Sequence, residues 1–127
     1  MKRFYILSLT AFLCVLCASA QSYYITGSAV PGGKTIPLEK WDDGSYKFHG
    51  TLLPGDLYII NTPEIGAITQ YYAPQQVNSN IVCNGIQALL KRSADDAAWA
   101  VLFEADNYRF TISPSRVVTG EVFTWWY

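Results

Sequence analysis

Ile36-Pro37-Leu38-Glu39-Lys40-Trp41-Asp42-Asp43-Gly44-Ser45-Tyr46-Lys47-Phe48-His49-Gly50-Thr51-Leu52 is the stretch that decides the fold class. Two runs of alternating polarity flank an acid-acid-glycine triplet. That is a β-hairpin signature, because glycine supplies the positive φ that such a turn requires. Pro37 has no N–H to give to a strand ladder, so the first arm is expected at a sheet edge or to start late.

The same grammar continues outward in both directions. Upstream, Tyr23-Tyr24-Ile25-Thr26 reads as a strand ended by Gly27, and Pro31-Gly32-Gly33 as a loop. Downstream, Pro54-Gly55-Asp56 is a turn into Leu57-Tyr58-Ile59-Ile60, which is apolar on both faces, as a central strand should be. Residues 61–80 are the least regular, with a short strand expected around Ile68 to Tyr72. Gly85 precedes a strand over Ile86 to Lys91. Ser93 could cap a helix, but the strand character of Trp99 to Phe103 favours a turn before it. Asp106-Asn107 leads into Tyr108-Arg109-Phe110-Thr111-Ile112, where Tyr108, Phe110 and Ile112 face the core. Ser113-Pro114-Ser115 is the last turn, before Arg116 to Phe123. About eight short strands at roughly 8–12-residue intervals predict an all-β chain: an immunoglobulin-like or carbohydrate-binding-module-like antiparallel β-sandwich of 7–8 strands.

The N-terminus carries a different signal. Lys2 and Arg3 precede an apolar run from Phe4 to Cys17, and Ala18-Ser19-Ala20 offers the small side chains that signal peptidase accepts. Phe4 to Ala20 is 17 residues, at the lower limit of a membrane span of roughly 17–25. Cleavage after Ala20 is therefore expected, with no transmembrane span thereafter. Neither Cys14 nor Cys17 is preceded by the small residues a lipoprotein signal needs. The division is then residues 1–20 as signal peptide and 21–127 as one β-sandwich domain, in an exported protein of the periplasm, the cell surface or the medium.

The full chain has nine Lys and Arg against ten Asp and Glu, and removing Lys2 and Arg3 leaves seven against ten. Such mild acidity argues against nucleic acid, which demands clustered cations. Only Cys83 remains of three cysteines. No internal disulfide can form, and Cys83 is expected to be a small buried apolar residue.

Catalytic groups are scarce. His49 is the single histidine, and its phase with Lys47 and Thr51 points it to solvent. No nucleophile elbow of the form Gly-x-Ser-x-Gly is present. The acidic pairs Asp42-Asp43 and Asp95-Asp96 suit turn chemistry better than a two-carboxylate cleft. One histidine and one cysteine cannot build a structural zinc site, no twelve-residue calcium loop is present, and no phosphate-cradling loop appears. The expectation is no enzyme, no metal and no cofactor.

Aromatic residues make up 15% of the chain. A sugar presents an apolar C–H face ringed by hydroxyls, which suits a flat ring beside a few hydrogen-bonding side chains. The candidate platform is Trp41, Tyr72, Trp99 and Trp126, with Lys47 and Arg109 as hydroxyl partners. Trp99 is also in phase with Val101 and Phe103, the pattern of a core residue. Tyr71 and Tyr72 should face opposite ways. Trp125-Trp126-Tyr127 either closes the sandwich or forms a contact surface.

Tyr24-Ile25-Thr26-Gly27-Ser28-Ala29, Asp43 through Gly50, Leu53-Pro54-Gly55, Trp99-Ala100-Val101 and Asn107 through Ile112 together resemble the β-sandwich modules of the SusE/SusF-type starch-binding outer-membrane proteins of Gram-negative glycan-using bacteria. The likeness covers most of residues 21–127, in short motifs of structural residues. It departs at Pro31-Gly32-Gly33-Lys34, where the family's loop tryptophan is missing, and at Leu57-Tyr58-Ile59-Ile60, where Tyr58 stands near a lysine position. The family's lipid anchor and its further modules are also missing. The resemblance implies a non-catalytic glycan-utilisation accessory module. Its ligand would be a polysaccharide or oligosaccharide, and its partners would be outer-membrane glycan-import proteins. The alternative is a cell-envelope structural or protein-interaction domain with no sugar ligand.

Overall fold

The computed structural model describes residues 22–123; the expected signal sequence and Trp126 lie outside them. Eleven strands form among the described residues: β1 (Tyr24–Thr26), β2 (Ile36–Pro37), β3 (Glu39–Lys40), β4 (Tyr46–Leu52), β5 (Gly55–Ile60), β6 (Tyr71–Ala73), β7 (Cys83–Gln87), β8 (Leu89–Lys91), β9 (Trp99–Val101), β10 (Ala105–Ile112) and β11 (Val117–Val122). They build two antiparallel sheets. The first runs β2-β1-β5-β6-β8, with β9 added along β5, and the second runs β3-β4-β10-β11-β7.

Two divided runs account for most of the excess over the expected 7–8 strands. The run from Ile36 to Trp41 and the run ending at Lys91 each divide between sheets. β2 pairs with β1 in the first sheet, and two residues later β3 pairs with β4 in the second. At the opposite edge, β7 pairs with β11 and β8 with β6. The pivots are Leu38 and Ala88, both buried. Each pivot sends its amide to a neighbour outside the strands: Leu38 N–H donates to the Tyr23 carbonyl and Ala88 N–H to the Arg116 carbonyl. The two sheets are thereby linked at both edges by the chain itself. Pro37 does stand at an edge, as its missing donor requires.

The core fills from both inner faces. Tyr46, Phe48 and Leu52 of β4, with Tyr108, Phe110 and Ile112 of β10, meet Ile25, Leu57, Ile59 and Trp99 of the first sheet. Each such side chain contributes roughly 1.5–3 kcal/mol by leaving water. The Trp99 Nε1 donates to the Tyr72 carbonyl at 2.8 Å, so the indole is buried without an orphaned donor. A second, smaller cluster of Ile60, Tyr71, Ala73 and Ala97 lies apart from it. It explains why β5 and β6 are apolar on both faces, and it places Tyr71 and Tyr72 in different clusters, as their alternation predicts.

Local chemistry sets the connections. In the hairpin turn Gly44 N–H donates to the Trp41 carbonyl, Trp41 N–H donates to the Ser45 carbonyl, and Gly44 has φ of 86°. Asp43 Oδ1 accepts from the Ser45 amide at 3.0 Å and from its hydroxyl at 2.6 Å. Tyr108, near the start of β10, donates its hydroxyl to the Phe103 carbonyl at 2.6 Å. This is the tyrosine-corner arrangement of β-sandwiches. Residues 93–98 form a turn rather than a helix, with the Asp95 amide donating to Ser93 Oγ. Cys83 is only half-buried, not fully so, because it lies on β7 at the sheet edge; its thiol reaches the Val118 carbonyl at 3.4 Å.

Candidate functional site

Alternation along the second sheet sends one set of side chains inward and the other to an open face. On β4 the outward set is Lys47, His49 and Thr51; on β10 it includes Arg109 and Thr111; on β11 it includes Thr119 and Glu121. Register then sorts them into rungs. Glu39 lies opposite Lys47, Lys47 opposite Thr111, and Thr111 opposite Thr119. The next rung is His49, Arg109 and Glu121. Strands about 4.8 Å apart make these four strands a face roughly 14 Å wide.

Rings bound the face on two sides. Trp41, fixed by the hairpin turn, is 48% exposed, and Lys47 Nζ lies 3.7 Å from its ring centroid. Arg109 Cζ lies 4.7 Å from the ring centroid of Phe123, itself partly exposed. Each contact holds a long cationic side chain over an aromatic surface, a gain of about 0.5–1 kcal/mol at such exposed sites. Trp41, Lys47, His49, Arg109, Thr111 and Glu121 are among the residues that line a cleft of about 830 Å³. It offers donors (Lys47, Arg109), acceptors (Glu39, Glu121) and hydroxyls that do both (Thr111, Thr119) around one exposed indole.

The six residues singled out from sequence separate sharply. Trp41, Lys47 and Arg109 meet on this face. Trp99 does not: it is 0% exposed, between the sheets. Tyr72 is 8% exposed and packs in the same core, edge-to-face with Tyr23 at 4.9 Å. Both are corrected from platform to core, because β6 and β9 turn these large rings toward the second sheet. Trp126 lies outside the described residues.

His49, Glu39, Thr111, Thr119, Glu121 and Phe123 complete the face and were not assigned to it from sequence. Their alternation marks them as outward, but only cross-strand register shows that they are neighbours. Among the described residues no group of three or more His, Cys, Asp or Glu side chains gathers as a metal site would require, and no helix is long and apolar enough to cross a membrane.

No family model, curated protein or solved structure matches this chain. Gly27 and Gly55 belong to two of the motifs carrying the resemblance to SusE/SusF-type modules, and each sits against the residue that follows the other. A Cβ at Gly27 would overlap the Asp56 carbonyl, and one at Gly55 would overlap Ser28 Oγ. The motifs Tyr24 through Ala29 and Leu53-Pro54-Gly55 therefore serve a backbone junction and do not line the cleft, whereas Lys47, His49, Arg109 and Thr111 of the other motifs do.

Proposed function

We propose that this protein is an exported, non-catalytic module that binds a polysaccharide or oligosaccharide across the outer face of the second sheet. The observation that carries the reading is the half-exposed Trp41 indole at the margin of a cleft whose floor alternates donors, acceptors and hydroxyls. An apolar plate flanked by convergent polar groups suits a sugar ring, whose faces are C–H and whose rim is hydroxyl. The resemblance to SusE/SusF-type modules points to the same ligand class and to glycan-import proteins of the outer membrane as partners.

Affinity electrophoresis of the purified protein through starch and a panel of other polysaccharides is the direct test. Retardation by at least one polysaccharide is expected, with Trp41→Ala abolishing it and Arg109→Ala weakening it. Folded protein that migrates identically in every gel overturns the proposal.

A second reading, a protein-interaction domain of the envelope, draws on Leu89 and Leu90, both exposed on the edge strand β8. Concentration-dependent self-association lost in Leu90→Lys, with no glycan binding, would favour it.

A further inference from the structure

A second concavity lies where the β3–β4 turn, the loop of residues 61–70 and the turn between β10 and β11 converge. Its volume is about 420 Å³, and it shares no lining residue with the cleft on the sheet face. Roughly 300–1,000 Å³ is the range of small-ligand sites. Lys40 and Arg116 both line it, and neither has a carboxylate partner among the described residues. No Asp or Glu lines it at all, although the chain is net acidic.

The rest of the lining is built for hydrogen bonding. Asn61 and Gln70 close the base of their loop on each other: Gln70 N–H donates to Asn61 Oδ1 at 2.8 Å, and Asn61 Nδ2 to Gln70 Oε1 at 3.4 Å. This leaves the Gln70 Nε2 hydrogens for a ligand. Tyr23 and Tyr72 both line it, edge-to-face at 4.9 Å, with their side chains hydrogen-bonded to each other. Burial, with Tyr23 beside it, pushes the Tyr72 hydroxyl up to about 12. Arg116 is held at φ of 66°, where its amide donates to the Ser113 carbonyl. A non-glycine residue in that region is uncommon, and the turn keeps arginine there.

Two cations for one carboxylate, with amide and phenol donors for hydroxyls around it, is the chemistry that recognises an acidic sugar. We infer that this end pocket is a binding site for a single acidic monosaccharide unit, separate from the cleft on the sheet face. A charge-assisted contact to a carboxylate is about twice as strong as a neutral one and weakens with salt.

Calorimetric titration of the protein with galacturonate and glucuronate, beside glucose, lactate and sulfate, tests it. Uronate binding is expected, suppressed by added salt and weakened about tenfold or more by Lys40→Gln or by Arg116→Asn. Asparagine removes the charge yet tolerates the left-handed backbone, so the turn survives. Trp41→Ala should leave uronate binding unchanged, which separates this site from the cleft. No heat with either uronate, or equal binding of glucose, lactate or sulfate, overturns the inference. So does binding that survives both charge deletions.

Discussion

Trp41 and Trp99 show how little a residue's type says about its task. Both are tryptophans beside turns, yet one stands nearly half in solvent and the other is closed off completely. The difference is a hydrogen bond and a partner sheet: Trp99 Nε1 finds the Tyr72 carbonyl, while the Trp41 ring faces the Lys47 ammonium. Trp99→Ala should therefore destabilise the fold by about 3–5 kcal/mol, read as a shift in denaturant midpoint. Trp41→Ala should cost under about 0.5–1 kcal/mol in the same measurement. Asp43 makes a different residue-scale prediction. Hydrogen bonds from the Ser45 hydroxyl and amide hold its carboxyl below the ordinary value of 3.8. A carboxylate whose folded pKa is depressed adds stability that is present above the unfolded value and lost as pH falls through the folded one. Denaturation midpoints measured from about pH 5 down to pH 2 should fall for the native protein. Asp43→Ala should be less stable at neutral pH and show a flatter acid limb. Asp43→Asn, whose Oδ1 can still accept both bonds, should lie between them.

At the scale of elements, alternation was legible and pairing was not. The hairpin around Asp42-Asp43-Gly44, the core faces of β4 and β10, the centrality of β5 and the edge position of Pro37 all follow from residue order. The sheet changes at Leu38 and Ala88 do not. Alternation records only whether a side chain points into the sandwich, and inside is the same direction for both sheets. Which neighbour takes the backbone hydrogen bonds leaves no mark on it. β11 supplies the sharpest element-scale prediction. Gly120 faces inward on that strand, and a Cβ there would overlap the carbonyl oxygen of Ile81 and crowd Phe110. Backbone cannot yield as a flexible side chain would, so Gly120→Ala should destabilise by about 2 kcal/mol or more by forcing β11 off the 81–83 segment. Thermal melts of Gly120→Ala beside Thr119→Ala, which alters the outward side of the same strand, check this: the outward change should be nearly neutral.

For the whole molecule, two sheets stitched at both edges and sharing one main core should come apart together. Far-UV circular dichroism, which follows strands, and tryptophan fluorescence, to which the buried Trp99 contributes, should give coincident urea transitions. Separated midpoints would mean that the sheets are independent units. The sequence by itself determined the all-β class, the turns, and which side of each strand meets water, because those depend on local backbone chemistry and a two-residue period. Only the tertiary structure decided which outward residues assemble. Trp41, Lys47, His49, Arg109 and Glu121 come from three separate stretches of chain, and antiparallel register alone lays them side by side. Tertiary packing also took Tyr72 and Trp99 out of the candidate site, since a large ring in phase with a strand goes inside wherever an opposing sheet leaves room for it.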